Sequence, residues 1–192
     1  MSVPYLPGTN LRLDLDGEQN YRHVLEAVFA LTGGIYLSQL TEMIGVPAAT
    51  LQNWVKRGFV SNPLNKRYTR RQTCRMILIA LLRHTLSLDE IAELLSWINN
   101  NLADEQDDLI DDSELYLYFC DVILGMPPDT CPGQAELENR VSAATRSFET
   151  ADTDDHERLN QVLLTMILAY RAYQMQLHAR EQLSKLRGEM QK

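Results

Sequence analysis

The stretch Leu37-Ser38-Gln39-Leu40-Thr41-Glu42-Met43-Ile44-Gly45-Val46-Pro47-Ala48-Ala49-Thr50-Leu51-Gln52-Asn53-Trp54-Val55-Lys56-Arg57-Gly58-Phe59 decides the fold. Leu37, Leu40, Met43 and Ile44 recur at helical spacing, and Gly45 ends the short helix they define. Pro47 suits the first turn of a second helix, 47–56, because a proline's missing N–H has no partner there in any case. Leu51, Trp54 and Val55 form its inward side, and Gly58 closes it. Ala49, Thr50, Gln52, Asn53 and Lys56 are left facing outward. Two short helices joined by a Gly-Val-Pro turn make a helix-turn-helix, in which the first helix holds the second against the major groove of DNA. Gln52 and Asn53 both donate and accept, which suits the edge of adenine.

The flanks extend this unit. Phe59–Tyr68 is too short and too rich in Pro and Asn for a helix, and reads as a tight hairpin or extended wing. Thr69 with Gln72, and Ser87 with Glu90, are capping boxes that open two further helices. The first, 70–84, is apolar almost all round its second half and is the expected central core helix. The second is lined by Leu88, Ile91, Leu94, Leu95 and Ile98 and stops at Asn99-Asn100-Asn101. Upstream, residues 1–17 read as an arm or tail, and Tyr21, Val24, Leu25, Val28 and Phe29 mark a helix over 18–31 before Gly33-Gly34.

Downstream, the acidic run 104–114 is an expected solvated linker into a short helix, 115–124, and 125–133 is a breaker. A helix around 135–148 follows. Asp154 and Glu157 form a candidate N-terminal box for a long helix to about Met190. In it Leu159, Leu163, Met166, Tyr170, Tyr173 and Leu177 alternate steps of four and three, a heptad seam that reads as a dimer interface. The expected class is mainly all-α. Its divisions are an arm and helix (1–33), a winged helix-turn-helix (34–101), an acidic linker with a short helix (102–133) and a helical dimerisation or effector region (134–192).

Charge supports a polyanion partner. Eight basic residues and the single acid Glu42 lie between Ile35 and His84, a local balance of +7 in a chain of −8 overall. Screening acts over about 8 Å, so distant acid does not cancel the local field. Lys56, Arg57, Lys66, Arg67, Arg70 and Arg71 are the expected phosphate contacts, with Thr50, Gln52, Asn53 and Tyr68 completing the candidate DNA-binding set. Arg70 and Arg71 stand at a helix N-terminus, where the macrodipole disfavours cations, and that mild local cost hints at a functional reason.

Leu37–Leu51, then Tyr68-Thr69 before an apolar helix, then Leu86-Ser87-Leu88-Asp89-Glu90-Ile91 resemble MerR-type regulators, in which a Gly-Val turn precedes a Thr-Leu pair. A closer resemblance is to a domain-of-unknown-function family of MerR-like bacterial proteins. It is carried by Lys66-Arg67-Tyr68-Thr69-Arg70-Arg71, by Ile77–Arg83 and by Leu115-Tyr116-Leu117-Tyr118-Phe119. The likeness covers roughly Tyr36–Ile123 and implies a winged fold, a transcriptional role and a dimerising C-terminal helix. The chain departs from the MerR pattern at Ala49 and Gln52, where arginine is usual, and at Asn53, where an aromatic is usual.

Other signals are weak. Cys74, Cys120 and Cys131 match no zinc spacing, and reduced thiols in a cytoplasm are the natural reading. Four scattered histidines suggest neither a ligand set nor a base. No nucleophile–base pair or phosphate loop appears, so no enzyme, metal or cofactor is expected. The longest apolar runs fall far short of the ~20 residues of a membrane span. The expectation is a cytoplasmic, homodimeric regulator of double-stranded DNA, open to a small-molecule or protein effector. The alternative is a protein-interaction adaptor on the same scaffold.

Overall fold

A computed structural model describes residues 5–13, 21–30, 33–99, 108–126, 132–150 and 152–189. Cys131, residues 104–107 of the acidic run and Asn100-Asn101 lie outside the described residues. The chain is mainly helical, with eight α-helices and one two-stranded sheet among the described residues: α1 (Tyr21–Ala30), β1 (Ile35–Tyr36), α2 (Leu37–Ile44), α3 (Ala48–Lys56), β2 (Arg67–Tyr68), α4 (Arg70–Leu82), α5 (Leu88–Ser96), α6 (Asp112–Leu124), α7 (Gln134–Ala144) and α8 (Thr153–Glu189).

Both capping boxes form. Thr69 accepts from the Gln72 N–H while Gln72 Oε1 accepts from the Thr69 N–H, and Ser87 and Glu90 do the same for α5. The hydrogen bonds from Ser87 pull the Glu90 carboxylate below its ordinary range. Gly45 ends α2 in the left-handed region at φ 73°, which lets its N–H reach the Thr41 carbonyl. For α8 the cap is two residues earlier than expected, at Asp152 and not Asp154: Asp152 Oδ1 accepts the Asp154 N–H at 2.9 Å.

The central helix is α4, buried along its whole length from Gln72 to Leu82. It packs on α6 and α8, and α2 and α5 lean on it from the other side. Buried residues from all four expected divisions, including Leu6, Leu25, Leu51, Phe119 and Met166, join one cluster. The described part of the N-terminal arm, 5–13, is thus built into the fold and is no tail. Leu6 and Leu13 are buried, the Tyr116 hydroxyl donates to the Pro7 carbonyl at 2.6 Å, and the Asn10 N–H donates to the Met43 carbonyl at 2.8 Å. Gly8, at φ +75°, lies so close to α4 that a Cβ there would stand 2.8 Å from Leu81 Cγ. Its Pro and Gly content hid this packing, because the arm is held by a turn and two apolar anchors and has no periodicity to read.

No helix among the described residues is long and apolar enough to cross a membrane.

Candidate nucleic-acid interface

The helix pair is built as the apolar spacing requires. Leu40 and Met43 of α2 and Leu51 and Trp54 of α3 are buried, so α3 is held by its inner edge. Gln52, Asn53 and Lys56 stand exposed on its outer edge, and Thr50 is half-buried beside them. The Arg83 guanidinium closes the back of the Trp54 ring at 5.9 Å from the centroid. Phe59 and Tyr68 are buried too, so Trp54, Phe59 and Tyr68 all pack inward. Tyr68, placed among the DNA contacts by sequence, is a core residue; burial raises its phenol pKa.

The wing differs from a closed hairpin over 59–68. Its tip is a tight turn, Leu64-Asn65-Lys66-Arg67, with Asn65 and Lys66 at φ 51° and 64° and a bridge from Leu64 to Arg67. Two consecutive left-handed residues match the twist of antiparallel strands. The strand leaving that tip, β2, pairs with β1 ahead of the helix-turn-helix, Ile35 opposite Tyr68 and Tyr36 opposite Arg67. Gln72 fastens the other limb: its Nε2 donates to Ser61 Oγ at 2.8 Å and to the Asn62 carbonyl at 3.0 Å. One residue thereby caps α4 and clamps the wing, a second role that the capping-box signature did not reveal.

The six cations among the residues expected to meet DNA separate into two groups. Lys56 and Lys66 are exposed at the end of α3 and the tip of the wing. Arg57 is exposed, stacks over Phe59 at 4.7 Å and makes a solvent-facing pair with Asp89 at 3.1 Å. Arg67 lies half-buried across the Tyr36 ring at 4.6 Å and donates to the Gly34 carbonyl at 3.4 Å. Lys56 and Arg57 thus end α3, while Lys66 and Arg67 belong to the wing.

Arg70 and Arg71 belong elsewhere. Arg71 pairs with Asp108, with Asp112 at 3.2 Å and with Asp111 at 3.7 Å. One turn on, Arg75 meets Asp112 at 2.9 Å, with side chains only 4% and 1% exposed. Arg70 approaches Glu114 at 3.9 Å. The acids belong to the N-terminus of α6, where the helix dipole favours them. The run 104–114 was expected as a solvated linker; its described part is instead the counter-charge to α4. The local cost of cations at the start of α4 is therefore offset inside the protein, without any phosphate.

The expected dimer seam is likewise turned inward. Leu159, Leu163 and Met166 are fully buried in the chain's own core. Tyr170 meets Phe119 edge-on at 5.4 Å, and Tyr173 stacks flat on His84 at 4.0 Å. Of the six seam residues only Leu177 is exposed. Cys74 and Cys120 are buried thiols, both pushed to higher pKa by burial, Cys120 to about 12. Among the described residues no group of His, Cys, Asp and Glu could hold a metal.

Comparison with known proteins adds two likenesses. Residues 32–119 match a family described as a domain of unknown function, DUF1836. The match begins just before β1, takes in the helix pair, the wing and α4, and ends within α6. The chain is also similar to the uncharacterized protein YkrK of Bacillus subtilis (strain 168), 21% identical over 152 residues, which are 74% of this chain and 65% of that protein. It thus spans just under two thirds of that relative's length. No solved structure matches.

Proposed function

We propose that this chain is a DNA-binding regulator of MerR-like winged helix-turn-helix type, acting as a pair of copies and reading a short site with α3. The carrying observation is the outer edge of α3. Gln52, Asn53 and Lys56 stand exposed on a helix anchored by Leu51 and Trp54, and Lys66 is exposed at the tip of the wing. A short helix fixed on one side and polar on the other suits insertion in a major groove, where Asn and Gln read adenine and flanking cations hold phosphates.

The phosphate set is smaller than the sequence suggested. Lys56, Arg57, Lys66 and Arg67 remain, Arg57 with only a solvent-facing pair to Asp89, whereas Arg71 meets the buried Asp112 and Arg70 approaches Glu114. Each phosphate neutralised contributes about −0.9 to the slope of log affinity against log salt, so four cations correspond to about −3 to −4 per protomer. The test is fluorescence anisotropy on fragments of the DNA upstream of the chain's own gene, titrated at several salt concentrations. No binding at 50 mM salt would overturn the proposal.

The ion pairing of Arg70, Arg71 and Arg75 is also what favours a protein-interaction adaptor on the same scaffold. A stoichiometric protein partner recovered with no shift of any DNA fragment would decide for the adaptor.

A further inference from the structure

A cavity of about 410 Å³ lies where four segments of the chain meet. It is walled by Thr9 and Asn10 of the arm, by the α2–α3 turn, by the end of α4, and by Tyr170 and Tyr173 of α8. Small-molecule sites run from roughly 300 to 1,000 Å³, and this one falls within that range. Its walls are tied together. The Asn10 side chain donates to the Glu42 carbonyl at 2.9 Å, which fastens the arm to the end of α2. The Thr85 hydroxyl stands 3.2 Å from the carbonyls of both Leu82 and Ala169 and joins the end of α4 to α8.

The charge at this cavity has one sign. Arg83 lines it, and beyond its contact with the Trp54 ring it meets no carboxylate among the described residues. No acid belongs to the lining. Glu42 is exposed on α2, and Glu181, eight residues or about 12 Å beyond Tyr173, pairs with Lys185 at 2.7 Å. Arg171 of α8 donates to Gln174 at 3.0 Å. Next to Arg83, the His84 ring lies flat on Tyr173, 6° from parallel at 4.0 Å. Burial, and then the Arg83 charge, lowers its pKa and leaves the ring neutral at neutral pH. The apolar part of the lining comes from Ala80 and Leu81 on α4 and from Ile44 and Val46 at the turn.

We infer that this cavity binds a small organic anion, its carboxylate on Arg83 and its flat apolar body against Leu81 and the Tyr173–His84 stack. Three features select that class. A guanidinium with no carboxylate partner favours an anion, and its planar fork matches a carboxylate in two bonds at once. The apolar lining has nothing to offer inorganic phosphate but removes a ring from water. The parallel His84–Tyr173 pair supplies an aromatic surface. The site also reaches the helix pair. Arg83 lies against Trp54, the buried anchor of α3, and the turn that forms one wall is the one from which α3 starts. An occupant therefore sits against the seat of α3. The inference goes beyond the DNA reading and stands without it, since binding is read on the chain alone.

Amide NMR of the full chain, titrated with naphthoate and separately with its uncharged counterpart naphthamide and with inorganic phosphate, tests it. Saturable one-to-one binding of naphthoate is expected, with naphthamide and phosphate at least about tenfold weaker. Signals of Thr9, Gly45, Val46 and the Trp54 indole should move, and the Trp97 indole should stay. Arg83→Gln, at an exposed position, should weaken naphthoate by about tenfold or more and leave naphthamide as it was. Tyr173→Ala should weaken both probes while the remaining signals keep their places. Naphthamide bound as tightly as naphthoate, or naphthoate binding indifferent to Arg83→Gln, would overturn the inference. So would shifts gathered at Trp97, or no saturation at millimolar probe. A failure of DNA binding with these results intact would sink the α3 reading and leave this site standing.

Discussion

Two clusters of basic residues lie within twenty positions of each other and meet opposite fates. Lys56 and Arg57 end the polar-edged α3 and Lys66 and Arg67 lie in the wing, with Lys56, Arg57 and Lys66 open to solvent. Arg70, Arg71 and Arg75 turn toward the N-terminus of α6 and are held by Asp108, Asp111, Asp112 and Glu114. The difference is set by the elements that carry them. Lys56, Arg57 and Lys66 sit on a helix end and a turn whose backbones are themselves at the surface. Arg71 and Arg75 are four apart on a helix wrapped on every side, so their heads find either a carboxylate or a very large desolvation penalty. Net charge along a sequence marks where cations are, and burial decides what they are for.

The comparison is most exposed to attack at Arg75. Arg75→Leu leaves Asp112, already pushed to higher pKa by its burial, with one fewer counter-charge. Breaking such a pair on one side typically costs about 3–5 kcal/mol. Urea unfolding should show that loss. A shift well below 1 kcal/mol would mean the pair is solvated and the contrast overstated.

On the other side of the contrast, Asn53→Ala should leave stability unchanged and relax preference at one base pair by about 1–3 kcal/mol, read from competition against single-base variants of the site. Uniform weakening across all variants would place Asn53 on the backbone. Thr69→Ala should cost about 1 kcal/mol by loss of the cap that starts α4 and, with it, of the geometry through which Gln72 holds the wing. Hydrogen exchange at Ser61 and Asn62 should rise alongside.

The smallest effect is at Glu90. Its carboxylate has a lowered pKa in the fold because Ser87 donates to it, so the stabilisation is present at neutral pH. It is lost as the pH falls from the ordinary glutamate value of about 4.3 through the lower folded value. The bond comes from the Ser87 backbone N–H, so the stability difference between wild type and Glu90→Gln should shrink in acid. A constant difference would show that the cap acts without the carboxylate.

What was legible in the sequence is what depends on local chemistry. The helix pair, both capping boxes, the left-handed Gly45 and the buried α4 follow from spacing and turn residues. What was not legible depends on partners distant in the chain. Nothing near Leu6 announces Tyr116, and the short strand Ile35–Tyr36 exists only because Tyr68 and Arg67 come back to it. The heptad of Leu159 to Leu177 was periodic for the right reason, apolar burial, but the surface that α8 packs on is α4, α6 and α7 of the same chain. One missed signal was present. Arg75 sits inside Thr73-Cys74-Arg75-Met76-Ile77, a run with no outward face, and the acids needed to balance it stand in 108–114.

The most direct measurement is the salt dependence of DNA affinity for the wild type beside two variants, Lys56→Gln with Lys66→Gln, and Arg70→Gln. The account predicts a wild-type slope of about −3 to −4 per protomer, reduced by about 2 in the double variant and unchanged in Arg70→Gln. A slope that falls with Arg70→Gln and ignores Lys56 and Lys66 would contradict it.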